Sequence, residues 1–316
     1  MKKRIIAIML MLAMSVLVLA GCGGNDAPAE GEKEGYVIGL SMNTQTNPFF
    51  VTVVEGCQKA ADEAGAELIV TDAQDDPTIQ QKDIENLITK QPDVIIIDPC
   101  DSEAIVSSVE ACNEAGIPVL TMDRQSNGGD VLAHIGYDAI KSGKLAGQFL
   151  VDQLEGKGKI VELQGILAAN VAQDRSAGFN EIIKANPDME IVACQSANFN
   201  REEGMKTMET ILKGNPQIDG LYAANDEMLL GALEAIESAG RLDEMVIIGC
   251  DCLDETKDMI REGKAEGTIA EPPFFLGKAM VENAIKYLDG EEIEKMVILD
   301  NQLVTKDNVD EVKTRE

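Results

Sequence analysis

A pair of doubly wound α/β lobes facing each other across a cleft is the fold class this sequence predicts. Three observations predict it. From Tyr36 onward, short β-branched runs alternate with stretches of helical period, as repeated βα units require. The series is long enough to build such a sheet twice. About 280 residues lie beyond the amino-terminal leader and tether, more than one ordinary hydrophobic core holds.

The leader reads MKKRIIAIMLMLAMSVLVLAGC. A basic start at Lys2, Lys3 and Arg4, an apolar run from Ile5 to Ala20 and small residues after it make an export signal over residues 1–21. A buried or membrane-spanning helix is the alternative, but the run is short for a span and no stop-transfer pattern follows it. Leu19-Ala20-Gly21-Cys22 resembles a bacterial lipobox. It implies cleavage before Cys22 and lipid on that cysteine, hence a chain anchored at the outer face of the cytoplasmic membrane or in the periplasm. Residues 22–35 lack an apolar face and read as a flexible tether.

YVIGLSM, AELIVTD, DVIIID and PVLTMD are the first four strand candidates, near-continuous in apolar residues as buried parallel strands are. Asn47-Pro48 and Asp76-Pro77 each supply a helix N-cap and an N1 proline, and Ser102 is expected to cap the helix after the third strand. The helix begun at Asn47 carries one apolar stripe, Phe50, Val53, Val54, Cys57, Ala61 and Ala64. A second series of strands follows as KIVELQG, EIVACQS, DGLYAAN, MVIIGCD and EGTIAE. Its helices are expected near 173–186, 202–213, 226–239 and 255–263, with Gly240 as a C-terminal stop. Right-handed crossovers between such units give a doubly wound sheet in each half.

Composition narrows the function. There are 56 acidic and 27 basic side chains, and loss of Lys2, Lys3 and Arg4 with the leader leaves 24 basic, a net charge of −32. That field disfavours nucleic acid, anionic lipid surfaces and anionic ligands. No GxxxxGK[ST], no GxGxxG after the first strand and no HExxH is present. His134 is the single histidine and sits in an apolar run, VLAHIGY, where it reads as structural. A histidine triad or polyhistidine metal site lacks material, so neither metal nor cofactor is expected. Carboxylate pairs leave a glycosidase mechanism open on residue types alone. Cys57, Cys100, Cys112, Cys194, Cys250 and Cys252 show no disulfide framework spacing and read as free thiols.

In doubly wound sheets, ligands bind outside the carboxyl ends of the strands. Those ends here are Asn43 to Phe50, Asp98, Asp123-Arg124, Gln195 to Asn200, Asn225, Asp251 and Glu271. The chain has no Trp, four Tyr and seven Phe, yet Phe49, Phe50, Phe199, Phe274 and Phe275 all lie near strand ends. Phe50 is also the first rung of its helix's apolar stripe, while Phe49 falls off the stripe and is expected to be exposed toward the cleft. Flat apolar rings suit the C–H face of a sugar, and Asp, Arg and Asn suit its hydroxyls.

TNPFF (46–50), TMDRQ (121–125), ELQG (162–165), DRSAGF (174–179), ANFN (197–200), ANDEMLLGAL (224–233), IGCD (248–251) and TIAEPP (268–273) occur in this order. Together they resemble the ribose-type sugar-binding proteins that feed ABC importers, over about Tyr36 to Val304. The resemblance implies that Asn47, Phe49, Phe50, Asp123 and Arg124 in one lobe, and Arg175, Phe199, Asn225 and Asp251 in the other, hold the ligand. Glu271 stands where ribose binders carry glutamine, which implies a neutral monosaccharide or polyol with an extra donor for its carboxylate. The resemblance further implies strands crossing between lobes near Tyr137, Glu271 and Asn301. Lobes of 36–137 with 272–300 and of 138–271 with 301–316 follow. It implies a non-enzymatic, monomeric lipoprotein that closes on its sugar and delivers it to an ABC permease. A sugar-sensing partner of a membrane receptor or sensor kinase is the nearest alternative.

Overall fold

Two six-stranded sheets account for every strand of the computed structural model, which describes residues 35–316. The leader, Cys22 and the tether to residue 34 lie outside the described residues. The first sheet is begun by β1 (Val37–Met42), α1 (Pro48–Ala64), β2 (Glu67–Asp72), α2 (Pro77–Thr89), β3 (Val94–Ile97), α3 (Val106–Glu114), β4 (Val119–Met122) and β5 (Ala133–Tyr137). The second comprises α4 (Ala139–Gln153), β6 (Lys157–Gln164), α5 (Asn170–Lys184), β7 (Asp188–Ser196), α6 (Arg201–Gly214), β8 (Gly220–Ala223), α7 (Asp226–Ser238), β9 (Val246–Asp251), α8 (Asp254–Glu262) and β10 (Gly267–Ala270). The chain then returns through α9 (Pro273–Leu288) and β11 (Met296–Leu299) to the first sheet, and ends on β12 (Gln302–Thr305) in the second.

The strand orders are β11-β5-β4-β3-β1-β2 and β12-β10-β9-β8-β6-β7. Every pairing is parallel except that of β10 with β12. Each sheet therefore has the flavodoxin-like order, with its switch point between β1 and β3 or between β6 and β8. Both faces of the first sheet are covered. Val94 and Ile96 of β3 point into one apolar core with α1 and α9, and Ile95 and Ile97 into another with α2 and α3. β5, β11, β12, α4 and α9 go beyond the elements read from sequence.

The helix caps at Asn47 and Asp76 form as expected, their side chains accepting from the Phe49 and Thr78 amides. Gly240 follows α7 at φ +67°, the left-handed stop. Ser102 is a correction. Helix α3 starts at Val106 without a side-chain cap, and Asp101 takes the free amides of Glu103 and Ala104. The Ser102 hydroxyl instead accepts from the Asn170 amide of the other lobe. An N-cap and a contact across a cleft look alike in a sequence, because both ask for a short hydroxyl side chain.

All six cysteines of the described residues are free, with Cys194 the exposed one. Burial pushes the Cys57 and Cys252 thiols up to about 12, so they behave as small apolar side chains. His134 is buried on β5, with Nδ1 3.0 Å from the Thr121 hydroxyl. Burial lowers its pKa from 6.5 to about 4. Between those values the unfolded chain binds the proton and the folded chain does not, so the stabilisation present above pH 6.5 is lost as pH falls toward 4. Its upper size is about 3 kcal/mol. Melting temperatures of wild type and His134→Gln, followed from pH 7 to 4, should converge toward the acid end.

Candidate functional site

The carboxyl ends of both sheets meet at one cavity between the lobes. Its walls are Asn47, Phe49, Phe50, Asp123 and Arg124 from the first lobe, and Val171, Arg175, Phe199, Asn225 and Asp251 from the second. Nine of the ten expected site residues thus converge. The tenth, Glu271, is fully buried behind Arg175 and does not reach the cavity wall.

Local structure aims each side chain. Asn47 and Asn225 are the N-caps of α1 and α7, so each spends its amide oxygen on its helix while lining the cavity, and Asn225 Nδ2 lies 3.5 Å from the Phe199 carbonyl. Phe49 and Phe50 occupy the first turn of α1 edge to face, 5.1 Å between centroids. Phe49 is 4% exposed, which corrects the expectation of an exposed ring, because it joins the first lobe's apolar core while lining the cavity. Asp123, Phe199 and Asp251 have φ of +55°, +56° and +123°. A left-handed backbone costs of order 1–3 kcal/mol at such residues, and here it turns three cavity side chains inward at strand ends. Phe274 and Phe275 start α9 as a perpendicular pair and take no part in the cavity wall.

The two arginines bracket the cleft. The Arg124 guanidinium lies 5.4 Å from the Phe50 ring centroid and 5.7 Å from that of Phe199 across the cleft, and donates to the Pro99 carbonyl at 3.1 Å. Arg175 stands 6.0 Å from the Phe199 ring on the other side. It donates to the Ala224 carbonyl at 2.6 Å, to Asp251 at 3.5 Å and to Glu271. Gly143 of α4 makes room for the helix that carries it, since a Cβ there would lie 2.0 Å from the Arg175 carbonyl oxygen.

Electrostatics follow from this burial. Desolvation raises the Asp123 and Asp251 carboxyls, opposed mainly by Arg124 at Asp123 and by Arg175 at Asp251. Burial also opposes the Arg175 cation, but Cys250, Glu271 and Asp251 beside it outweigh that and hold it well above its ordinary value. Cys250, Asp251 and Glu271 offer ligand atoms within 4.8 Å of one another, but the Arg175 guanidinium bonds both carboxylates and takes the place a cation would need. The site is a set of fixed donors and acceptors between aromatic rings. It holds no nucleophile paired with a base.

Sequence reasoning missed Val171 and Asn170. Asn170 Oδ1 accepts from the Gln125 amide at 2.8 Å and the Ser102 hydroxyl at 3.4 Å, and the Ser102 amide donates to the Ala168 carbonyl at 3.1 Å. These bonds join the two lobes directly. The signal was available, since both residues follow the carboxyl end of β6, where the same rule looks for ligands.

A family model described as the periplasmic binding protein domain matches residues 38–292. The chain belongs to this family. A ribose import binding protein of Bacillus subtilis is 37% identical over 296 residues, 92% of this chain and 96% of the relative. Among solved structures, an ABC transporter solute binding protein from Bacillus halodurans with bound myo-inositol superposes on this binding protein with a TM-score of 0.84 at 32% identity. The match covers 89% of this chain and 98% of that one. A solute binding protein from Actinobacillus succinogenes with bound D-allose gives a TM-score of 0.83 at 29% identity, covering 88% and 100%. Among the described residues of this binding protein, no helix is long and apolar enough to cross a membrane.

Proposed function

We propose that this protein binds a neutral monosaccharide or polyol between its lobes, by closure about the three chain crossings, and delivers it to an ABC permease. The observation that carries the reading is the single cavity at which nine expected residues from both lobes converge. Phe49, Phe50 and Phe199 supply apolar faces for a ring, and Asn47, Asp123, Arg124, Arg175, Asn225 and Asp251 surround it with donors and acceptors. Each hydrogen bond to a charged group contributes about 1.5–3 kcal/mol, so a few of them support micromolar binding, near −8 kcal/mol, after ordering costs. The relatives bind a pentose, a hexose and a cyclic polyol by their names, a range that fits this neutral chemistry. The lobes are 36–137 with 272–300 and 138–271 with 301–316. The protein acts as a monomer held to the membrane by lipid on Cys22, and the binding step makes or breaks no covalent bond.

A ligand that bridges both lobes stabilises the folded, closed state in proportion to its occupancy. A thermal-shift screen over D-ribose, D-xylose, D-allose, D-fructose, xylitol and myo-inositol should show one or a few compounds raising the melting temperature by several degrees. A flat response across the whole panel would count against the reading. Release of product from aryl glycosides would instead favour an enzyme.

A further inference from the structure

Ser142 and Asn301 do not line the cavity, yet both are buried at the place where the chain passes between lobes. The passages follow β5, β10 and β11, at residues 138, 271–272 and 300–301. Asn301 Nδ2 donates to the Asp138 carbonyl at 2.9 Å and to Ser142 Oγ at 2.6 Å. Ser142 Oγ donates to one oxygen of Glu271, and Arg175 donates to the other. Arg175 lines the cavity. One unbroken line of buried hydrogen bonds therefore runs from all three crossings to a cavity guanidinium.

The directions of these bonds are dictated by chemistry. A backbone carbonyl only accepts, so the Asn301 amide must turn its NH2 toward Asp138, and the same NH2 group faces Ser142. Ser142 Oγ then accepts from Asn301, and its only proton goes to Glu271. Glu271 is left with one oxygen for Ser142 and one for Arg175, which a carboxylate satisfies and an amide does not. Glutamine at 271 would turn its oxygen to the guanidinium and its NH2 to a hydroxyl that already accepts, leaving the Ser142 proton without a partner.

We propose that Ser142, Asn301 and the Glu271 carboxylate are positioning residues that lock the orientation of Arg175 to the geometry of the crossings, so that ligand capture and lobe closure draw on the same bonds. This rests on the sugar-binding reading for its ligand. Calorimetry of wild type, Ser142→Ala, Glu271→Gln and the double variant, titrated with D-ribose, D-allose and myo-inositol, tests it. Each single change should weaken every ligand that binds wild type by about tenfold and leave their ranking unchanged. The double variant should lose much less than the product of the two, because both changes break the same line. Ligand-free Ser142→Ala and Asn301→Ala should also give a larger mean radius of gyration than wild type in solution scattering. Independent, fully multiplying losses would overturn the proposal, as would unchanged affinity and dimensions with only a lower melting temperature. If none of the three ligands binds wild type, the sugar reading fails, and the ligand-free scattering still decides the positioning role.

Discussion

Replacing Arg175 by alanine should abolish measurable ligand binding and lower stability together. Its guanidinium is buried and bonds the Ala224 carbonyl, Asp251 and Glu271. Removing it leaves two desolvated carboxylates facing each other without a cation, a situation that costs about 3–5 kcal/mol. The same change deletes a donor from the cavity wall, so affinity should fall by at least about a hundredfold. Arg175→Lys keeps the charge but loses the planar fork that reaches three partners, and should recover only part of either quantity. Arg201 is the control. It pairs with Glu227 and Glu255 with its side chain 32% exposed and outside the cavity wall, so Arg201→Ala should change affinity less than about threefold. Calorimetry and thermal unfolding on the three variants check the set.

The second large effect is expected at Phe199. Both arginine guanidinium groups lie within 6.0 Å of its ring centroid, so Phe199→Ala removes an apolar wall and two cation–π contacts at once. Affinity should drop by about tenfold to a hundredfold. Gly165 provides a subtler route to the same result. A Cβ there would sit 2.0 Å from the Phe199 ring tip, so Gly165→Ala should displace the ring without removing it. Both variants should weaken binding while the melting temperature of the ligand-free protein falls far less than in Arg175→Ala. Wild-type affinity in Gly165→Ala would show that the ring's position carries no binding energy.

Strand and helix positions were legible because parallel strands covered on both faces are apolar throughout and the helices carry caps with local signatures. Asn47-Pro48 and Asp76-Pro77 are read correctly for that reason, and Asn225 also proves to be a cap. The rule for strand ends then located eight cavity residues before any contact was visible, and the family resemblance added Arg175. What the sequence hid was everything that depends on the lobes meeting. Phe49 looked exposed because helical periodicity describes one helix and cannot register the tertiary packing that buries its first turn. Ser102 looked like a cap because its true partner, Asn170, belongs to the other lobe. Glu271 looked like a ligand contact because the strand-end rule gives an address without a depth, and Arg175 stands in front of it. The left-handed backbone at Phe199 was also invisible, since aromatic residues seldom adopt it.

The central claim is that the lobes close on a sugar held in the cavity they share. Small-angle scattering of protein stripped of ligand by unfolding and refolding, before and after addition of the sugar that most raises its melting temperature, tests this directly. Closure about the crossings should reduce the radius of gyration and bring the distance distribution to that of the structure described above. An unchanged profile at saturating sugar, with binding confirmed by calorimetry, would contradict it.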